Sequence, residues 1–317
     1  MIYYNRKKLK KIGKDGNEMK NSYEKHVKER MREKQNEVLL YGTFRGKAYN
    51  HIFKDLNDNF IDGSYPENKC LKGNLTDTKI KYHYAEHLNS SQTMCIAYFK
   101  KFFDEKKYER LLTEILEKEG LGVTRFDEIT DAVFEYVPTP KEGTNFDFYL
   151  KFSGGKQITW EIKFTESEFG GIAKAANARI DYVKKFADVY KKMLRDSFYF
   201  SFPPITCANN QCLTSDVAAD GCQSHADCLI YNFYKHYQIN RNILYAKNAD
   251  DCVVFLTPRE NENLNEGRAY VEKLANGWNT KNIRNLYWEE LLKTTLQVVS
   301  CEPQLYDYYT KFKAKYF

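Results

Sequence analysis

Between residues 145 and 164 the chain alternates. Phe146, Phe148, Leu150 and Phe152 are interleaved with Asn145, Asp147, Tyr149 and Lys151. Beyond a Ser153-Gly154-Gly155 turn, Ile158, Trp160, Ile162 and Phe164 are interleaved with Thr159, Glu161 and Lys163. A period of two marks two half-buried strands. Around this hairpin the pattern is mostly helical. Residues 17–40 are rich in Glu, Lys, Met and Leu and predict a helix, whereas 41–80 carry Asn, Asp, Gly and Pro and predict a draped connection. Residues 92–118 predict one or two helices, with Leu111, Leu112, Ile115 and Leu116 at helical spacing before Gly120. Ala132–Val137 is strand-like, Ile172–Arg195 and Leu229–Ala246 are helical, Cys252–Leu256 is a short apolar strand before Thr257-Pro258, and Trp288–Leu296 is helical. Helix, three strands, helix, strand, helix suits an α/β domain, a mixed sheet flanked by helices. No internal repeat or low-complexity tract interrupts it.

The hairpin fixes a chemical arrangement. Glu161 and Lys163 are two residues apart and project from one face. For both apolar sets to share the other face, paired residue numbers must sum to an even value. A three-residue loop satisfies this, with a glycine in the left-handed region, and sets Asp147 directly opposite Glu161. A two-residue loop would throw Asp147 onto the opposite face. Two facing carboxylates suit a hard divalent cation, and a neighbouring lysine can steady a phosphate or an attacking water. The plainer reading is a solvated polar face with a surface ion pair. Trp160 and the aromatic run argue instead for a central strand, where an accidental carboxylate cluster is costly to bury.

This acid, hairpin, Glu-Ile-Lys pattern resembles the core of the PD-(D/E)xK nuclease superfamily, and more narrowly a group of bacterial restriction endonucleases. Further matches are His87-Leu-Asn-Ser-Ser-Gln92, Asn145-Phe146-Asp147, Phe169-Gly170 and Tyr237-Gln238-Ile-Asn-Arg241-Asn242, so that the likeness spans roughly residues 85 to 300. Phe146 stands where the superfamily pattern has proline before the acid; that proline is not a ligand. The resemblance implies a restriction-endonuclease-like core and Mg²⁺-dependent cleavage of double-stranded DNA, with Mn²⁺ as a substitute. It assigns Asp147, Glu161 and Lys163 to catalysis, with the Ile162 carbonyl helping the two acids to hold the metal. Glu114 and Glu135 are rival candidates for an additional metal-binding acid, and each also reads as an ordinary surface charge. Gln238 and Arg241, three apart on one helix face, are candidates for positioning water or phosphate beside the catalytic group. The resemblance also implies a homodimer and a cognate DNA methyltransferase in the same system. The competing functions are a structure-selective or exonucleolytic repair nuclease, and a non-catalytic, zinc-stabilised nucleic-acid-binding protein.

Charge and composition sharpen the picture. The net charge is +6, but residues 1–34 alone carry +7 and the remainder sums to −1. That basic arm reads equally as a phosphate-tracking segment or a solvated terminus. We therefore divide the chain into a basic, loop-rich N-terminal extension over 1–84 and a nuclease domain over 85–317. The mean hydropathy is −0.68, no apolar run approaches the about 18 residues of a membrane span, and the first residues lack a signal-peptide core. A cytoplasmic protein is the expectation.

Eight cysteines without a secretion signal read as reduced thiols or metal ligands. Cys207, Cys212, Cys222 and Cys228 fall within an insert over 205–229, with His225 between the last two. Four thiolates can hold zinc tetrahedrally. The gaps are looser than paired Cys-x-x-Cys knuckles, so zinc and free thiols stand about even, with an iron–sulfur cluster the third reading. One motif is a decoy. His83-Tyr-Ala-Glu-His87 matches a zinc-peptidase signature that needs both histidines on one helical face, yet it runs straight into Asn89-Ser-Ser-Gln92, which suits a helix cap or phosphate contact.

Overall fold

A computed structural model describes residues 22–75, 79–140, 142–170, 185–199 and 233–317. Its centre is a six-stranded sheet. The strands are β3 (Cys70–Lys72), β4 (Ile129–Tyr136), β5 (Phe146–Phe152), β6 (Gln157–Ile162), β7 (Cys252–Thr257) and β8 (Ile283–Tyr287), in that spatial order. A separate two-stranded hairpin, β1 (Thr43–Phe44) and β2 (Lys47–Ala48), precedes them. Strands β3 to β6 run antiparallel, while β7 is parallel to β6 and β8 to β7. Strand β6 is therefore where the sheet changes sense. This is the mixed sheet flanked by helices, of restriction-endonuclease-like class, that the resemblance implied.

The β5–β6 hairpin has the expected register. Phe148 pairs with Trp160, Leu150 with Ile158 and Lys151 with Gln157. Phe152 N donates to Lys156 O across Ser153-Gly154-Gly155, and Gly155 takes φ +86° as such a loop requires.

Helices cover both faces. On one side lie α1 (residues 22–33), α2 (Ser91–Lys100), α3 (Lys106–Lys118), α7 (Trp288–Val298) and α8 (Pro303–Tyr316), all contributing to one core with Phe148, Leu150, Trp160, Val254 and Leu256. On the other side a π turn (Phe186–Tyr190) leads into α4 (Lys191–Asp196), joined by α5 (Tyr237–Ile243) and α6 (Asn265–Gly277), over Val253, Phe255 and Ile283. Period two survives in β7 as a division between two cores, Cys252, Val254 and Leu256 against Val253 and Phe255, so the strand reads as a continuous apolar run. Val27, Met31, Leu40, Phe53 and Phe60 from the N-terminal segment share the first core. Lys315 Nζ, on α8, donates to Asn59 O and Oδ1 and ties that segment to the end of the chain.

Several elements differ from the sequence reading. Strands β3 and β8 and helices α6 and α8 were not anticipated. Ile283-Arg-Asn-Leu-Tyr places its buried residues at the first and fourth positions, a spacing without period two. The helix expected to end near residue 40 stops at 33 and is followed by a 3-10 turn, Glu37–Leu39, capped by the Asn36 side chain. Among the described residues, no helix is long and apolar enough to cross a membrane.

Trp160 is fully buried beside Phe99, with ring centroids 5.1 Å apart. Trp160→Ala should lower stability by about 3–5 kcal/mol, read as a lower denaturant midpoint. Lys151→Ala, on the same hairpin but exposed, should stay within about 0.5 kcal/mol.

Candidate active site

At the C-terminal end of β6 the polar face is not solvated. Glu161 is 2% exposed and Lys163 9%, and Gln238 and Asn242 of α5 close over Glu161 in the second layer. The sheet places the acids. The β5–β6 register, continued one position beyond Phe148–Trp160, sets Asp147 beside Glu161, and the β4–β5 register sets Glu135 beside Asp147. Asp147 Oδ2 accepts from Ile162 N at 2.5 Å, locking the start of β5 to the end of β6. Lys163 N donates to Leu256 O at 3.0 Å, which extends the parallel ladder past the site.

Glu161 is held from three directions. Lys163 Nζ and Gln238 Nε2 each donate to Oε1 at 2.6 Å, and Asn242 Nδ2 donates to Oε2 at 2.6 Å. Gln238 and Asn242 are four apart on α5 and so share a face. Oε1 carries two donors and Oε2 one, so Oε2 retains acceptor capacity. The Asn242 Oδ1 atom is buried without a hydrogen-bond partner. Close packing fixes the helix position: Gly170, at φ +91°, leaves room for Gln238, whose Oε1 would lie 2.6 Å from any Cβ built there.

Glu135 is bonded by Gln92 Nε2 at 3.1 Å and by Asn145 Nδ2 at 2.5 Å. Its φ of +47° is unusual for a non-glycine residue, a local strain of the kind found at functional sites. Below Lys163, Glu166 accepts from Ser91 Oγ at 2.6 Å and from Phe164 N at 2.5 Å. Asn261 Nδ2 donates to the carbonyls of Phe164 and Glu166 at 3.0 and 2.9 Å, pinning the exit of the strand.

The electrostatics follow from this crowding. Burial and then the Glu161 charge hold the Asp147 carboxyl well above the usual carboxylate range. Burial likewise raises Glu135, against the hydrogen bonds from Asn145 and Gln92. Burial opposes the charge on Lys163, but Glu161, Glu166 and Asp147 together raise its pKa and keep it an ammonium. Acids thus outnumber cations, and the arrangement disfavours its own second negative charge.

That donor set suits a hard cation. Mg²⁺ takes oxygen ligands, usually one or two carboxylates together with water and substrate phosphate. Asp147 and Glu161 are two such carboxylates side by side, and with the Ile162 carbonyl they are the groups that would hold such an ion. Among the described residues no group of three or more His, Cys, Asp and Glu side chains converges at metal-ligating distances.

Other residues fall differently. Glu114 stays on α3, in an i,i+4 ion pair with Lys118 at 3.7 Å; the acids acting on Asp147 are Glu161 and Glu135. Gln238 reaches Glu161 as its helix face suggests, but Arg241 turns its guanidinium over the Tyr237 ring, 5.0 Å from the centroid. The partner of Gln238 is Asn242, which the i,i+4 spacing within the quoted motif could have revealed. Gln92 and Asn145 belong to the quoted motifs but without an assigned role, and Glu166 carried no signal beyond its proximity to Lys163. Residues 81–90 are not helical, which removes the peptidase geometry for His83 and His87. Ser90 caps α2 instead, accepting from Thr93 N at 3.2 Å. Cys207, Cys212, Cys222, Cys228 and His225 lie outside the described residues. Cys70, Cys95, Cys252 and Cys301 are free thiols.

A family model described as Restriction Endonuclease associating with ARP matches residues 20–317, and the chain belongs to that family. Membership of a restriction-endonuclease family points to a nuclease with DNA as its substrate. No curated protein and no solved structure matches the chain.

The raised Asp147 pKa has a thermodynamic consequence. A carboxyl whose folded pKa exceeds its unfolded value, about 3.9, gives stability that is present below the unfolded pKa and lost as pH rises through the folded one. Without metal, Asp147→Asn should therefore melt above the native protein at neutral pH, and the gap should close towards pH 4. A gap independent of pH in thermal denaturation would contradict this assignment.

Proposed function

We propose that the protein is a Mg²⁺-dependent DNA endonuclease of the PD-(D/E)xK type, acting as a site-specific restriction enzyme. The observation that carries this reading is the row formed where the start of β5 meets the end of β6, half-buried Asp147 beside buried Glu161 and Lys163, with Glu161 fixed by Gln238 and Asn242. The family membership supports the same substrate class.

Asp147, Glu161 and the Ile162 carbonyl would hold the metal, with Glu135 as the additional acid. Bound Mg²⁺ supplies charge neutralisation at the scissile phosphate. The chain's own groups do the rest. Gln238 and Asn242 orient Glu161, so little reorganisation is needed when substrate arrives. Lys163 is an ammonium donor within reach of that carboxylate; it orients the attacking water and stabilises the charge that grows on the phosphate oxygens in an in-line displacement. The side chains of α1 and the neighbouring loops contact the backbone and set the register of the duplex. Cutting both strands calls for two such sites, which a homodimer provides.

The test is cleavage of mixed plasmid and phage DNA with Mg²⁺ or Mn²⁺. The native protein should give discrete fragments. Glu161→Ala and Lys163→Ala should each lose about a hundredfold or more in rate, while Glu114→Ala should cut normally. Degradation without discrete fragments would favour a structure-selective or repair nuclease. Salt-dependent binding with no cleavage on methylated or unmethylated DNA would favour a non-catalytic binding protein.

A further inference from the structure

Next to the acids, a groove of about 710 Å³ opens between the β1–β2 hairpin, the turn at His83–His87 and the start of α2. It is continuous with the site. Gln92 lines it and also bonds Glu135, while Ser91 and Glu166 line it and bond each other. A second groove of about 410 Å³ lies elsewhere, by Arg110 and Phe126, and nothing links it to the acids.

The adjoining groove is a preformed aromatic wall. Phe44, Tyr84 and His87 meet edge to face at 5.3 to 5.5 Å, and His51 continues the row. Tyr84 is 56% exposed and sits at φ +56°, where a bulky residue is a conformational outlier. The frame beneath is rigid. Gly42 N donates to Ile52 O, Leu88 N to His51 O, and Phe53 N to Glu86 O. Gly42 lies so close to the Phe53 carbonyl that no Cβ fits. Arg45 and Gly46 form the hairpin tip, both at positive φ, as a two-residue turn requires.

The chemistry of the lining selects a base over a phosphate. Glu24, Glu166 and Glu168 line the groove together with Lys28 and Arg45, and Glu24 pairs with Lys28 at 2.7 Å, so the lining keeps a small excess of acid. Asn89 Oδ1 is a buried acceptor without a partner, its Nδ2 being spent on Thr165 Oγ1 at 2.7 Å. Burial keeps His51 and His87 low, His51 at about 4, so both imidazoles are neutral rings at physiological pH. Arg45 stands at the hairpin tip, Lys28 lies on the border with a flanking groove of about 380 Å³, and that groove adds Lys25 and Arg32 of α1 beside Glu24 and Glu29. That is the division expected of a surface that stacks bases on rings and follows the backbone with Lys and Arg.

We propose that this groove receives an unstacked nucleobase of the bound DNA, beside the scissile phosphate, stacked on the exposed Tyr84 ring with its edge against Phe44, and donating an N–H to Asn89 Oδ1. Arg45 and the basic side of α1 take the flanking phosphates. The inference rests on the nuclease reading and adds where a base of the substrate is read.

The experiment uses a duplex that the native protein cleaves, with photoreactive halogenated bases placed one at a time at positions flanking the cut and Ca²⁺ replacing Mg²⁺. Crosslinks should map to Tyr84 or Phe44 at one position. In cleavage assays Tyr84→Leu and Phe44→Leu should each lose about tenfold in kcat/KM, carried by KM, and Asn89→Leu should act in the same direction. Arg45→Ala should reduce the salt dependence of binding by about one phosphate contact. Because Tyr84 is exposed, its variant tests the idea without threatening the fold. Native cleavage with unchanged KM in Tyr84→Leu and Phe44→Leu, and crosslinks only to other segments, would overturn the proposal and leave the nuclease reading standing. A native protein that neither binds nor cuts DNA would overturn both.

Discussion

Glu161 is the point on which the molecule turns. A carboxylate that is 2% exposed persists only if donors replace the water it has lost. Here three do so, and each comes with a structural demand. Lys163 requires that β6 continue straight for two more residues, which the parallel ladder to Leu256 enforces. Gln238 and Asn242 require α5 to lie over the strand, and Gly170, at positive φ and without a side chain, leaves the Gln238 amide its place. Asn261 keeps the chain beyond the strand from drifting by holding two of its carbonyls. Layer two of the fold can thus be read as the enclosure of one anion.

The position of that anion follows from topology. Strand β6 has an antiparallel neighbour on one side and a parallel one on the other. Its C-terminal end therefore lies beside the start of β5 and the ends of β4 and β7. Acids from three strands meet there without any long loop, and the chain must leave β6 by a long crossover before β7 begins. Crevices at such changes of direction are where open α/β sheets bind ligands. Glu135 adds strain to the same corner, its left-handed backbone turning a strand residue towards Asn145 and Gln92.

Much of this was legible in the sequence because it depends on parity. Alternation plus a three-residue loop leaves one register, and that register puts Asp147 next to Glu161. The helix cap at Ser90 was legible for a similar local reason. What escaped was long-range. Both Arg241 and Asn242 share a helix face with Gln238 by spacing, and the packing of α5 on β6 decides that Asn242 is the one that reaches Glu161. Glu114 has the right chemistry and an amphipathic helix, yet its surroundings place it in a surface pair with Lys118. Strand β8 lacks the alternation that sequence reading depends on, since both of its faces are covered unevenly. The polar face of β6 was correctly separated from its apolar face, but whether water or a helix covered it lay beyond the hairpin itself.

The charge at the site explains why a lysine stands two residues after the glutamate. Asp147, Glu161 and Glu166 act on one ammonium, that of Lys163, and keep it protonated against burial, while Lys69 acts on Glu135. One cation cannot balance that many acids, so Asp147 is driven towards its neutral form. A divalent ion between Asp147 and Glu161 would remove the repulsion and leave Lys163 free of the task of neutralising both. Its hydrogen bond to Glu161 then acts as a spacer that holds a positive charge at the edge of the acids, where an incoming phosphate brings negative charge. The same imbalance that makes the folded protein disfavour a charged Asp147 would be relieved by the cation that the proposed function calls for.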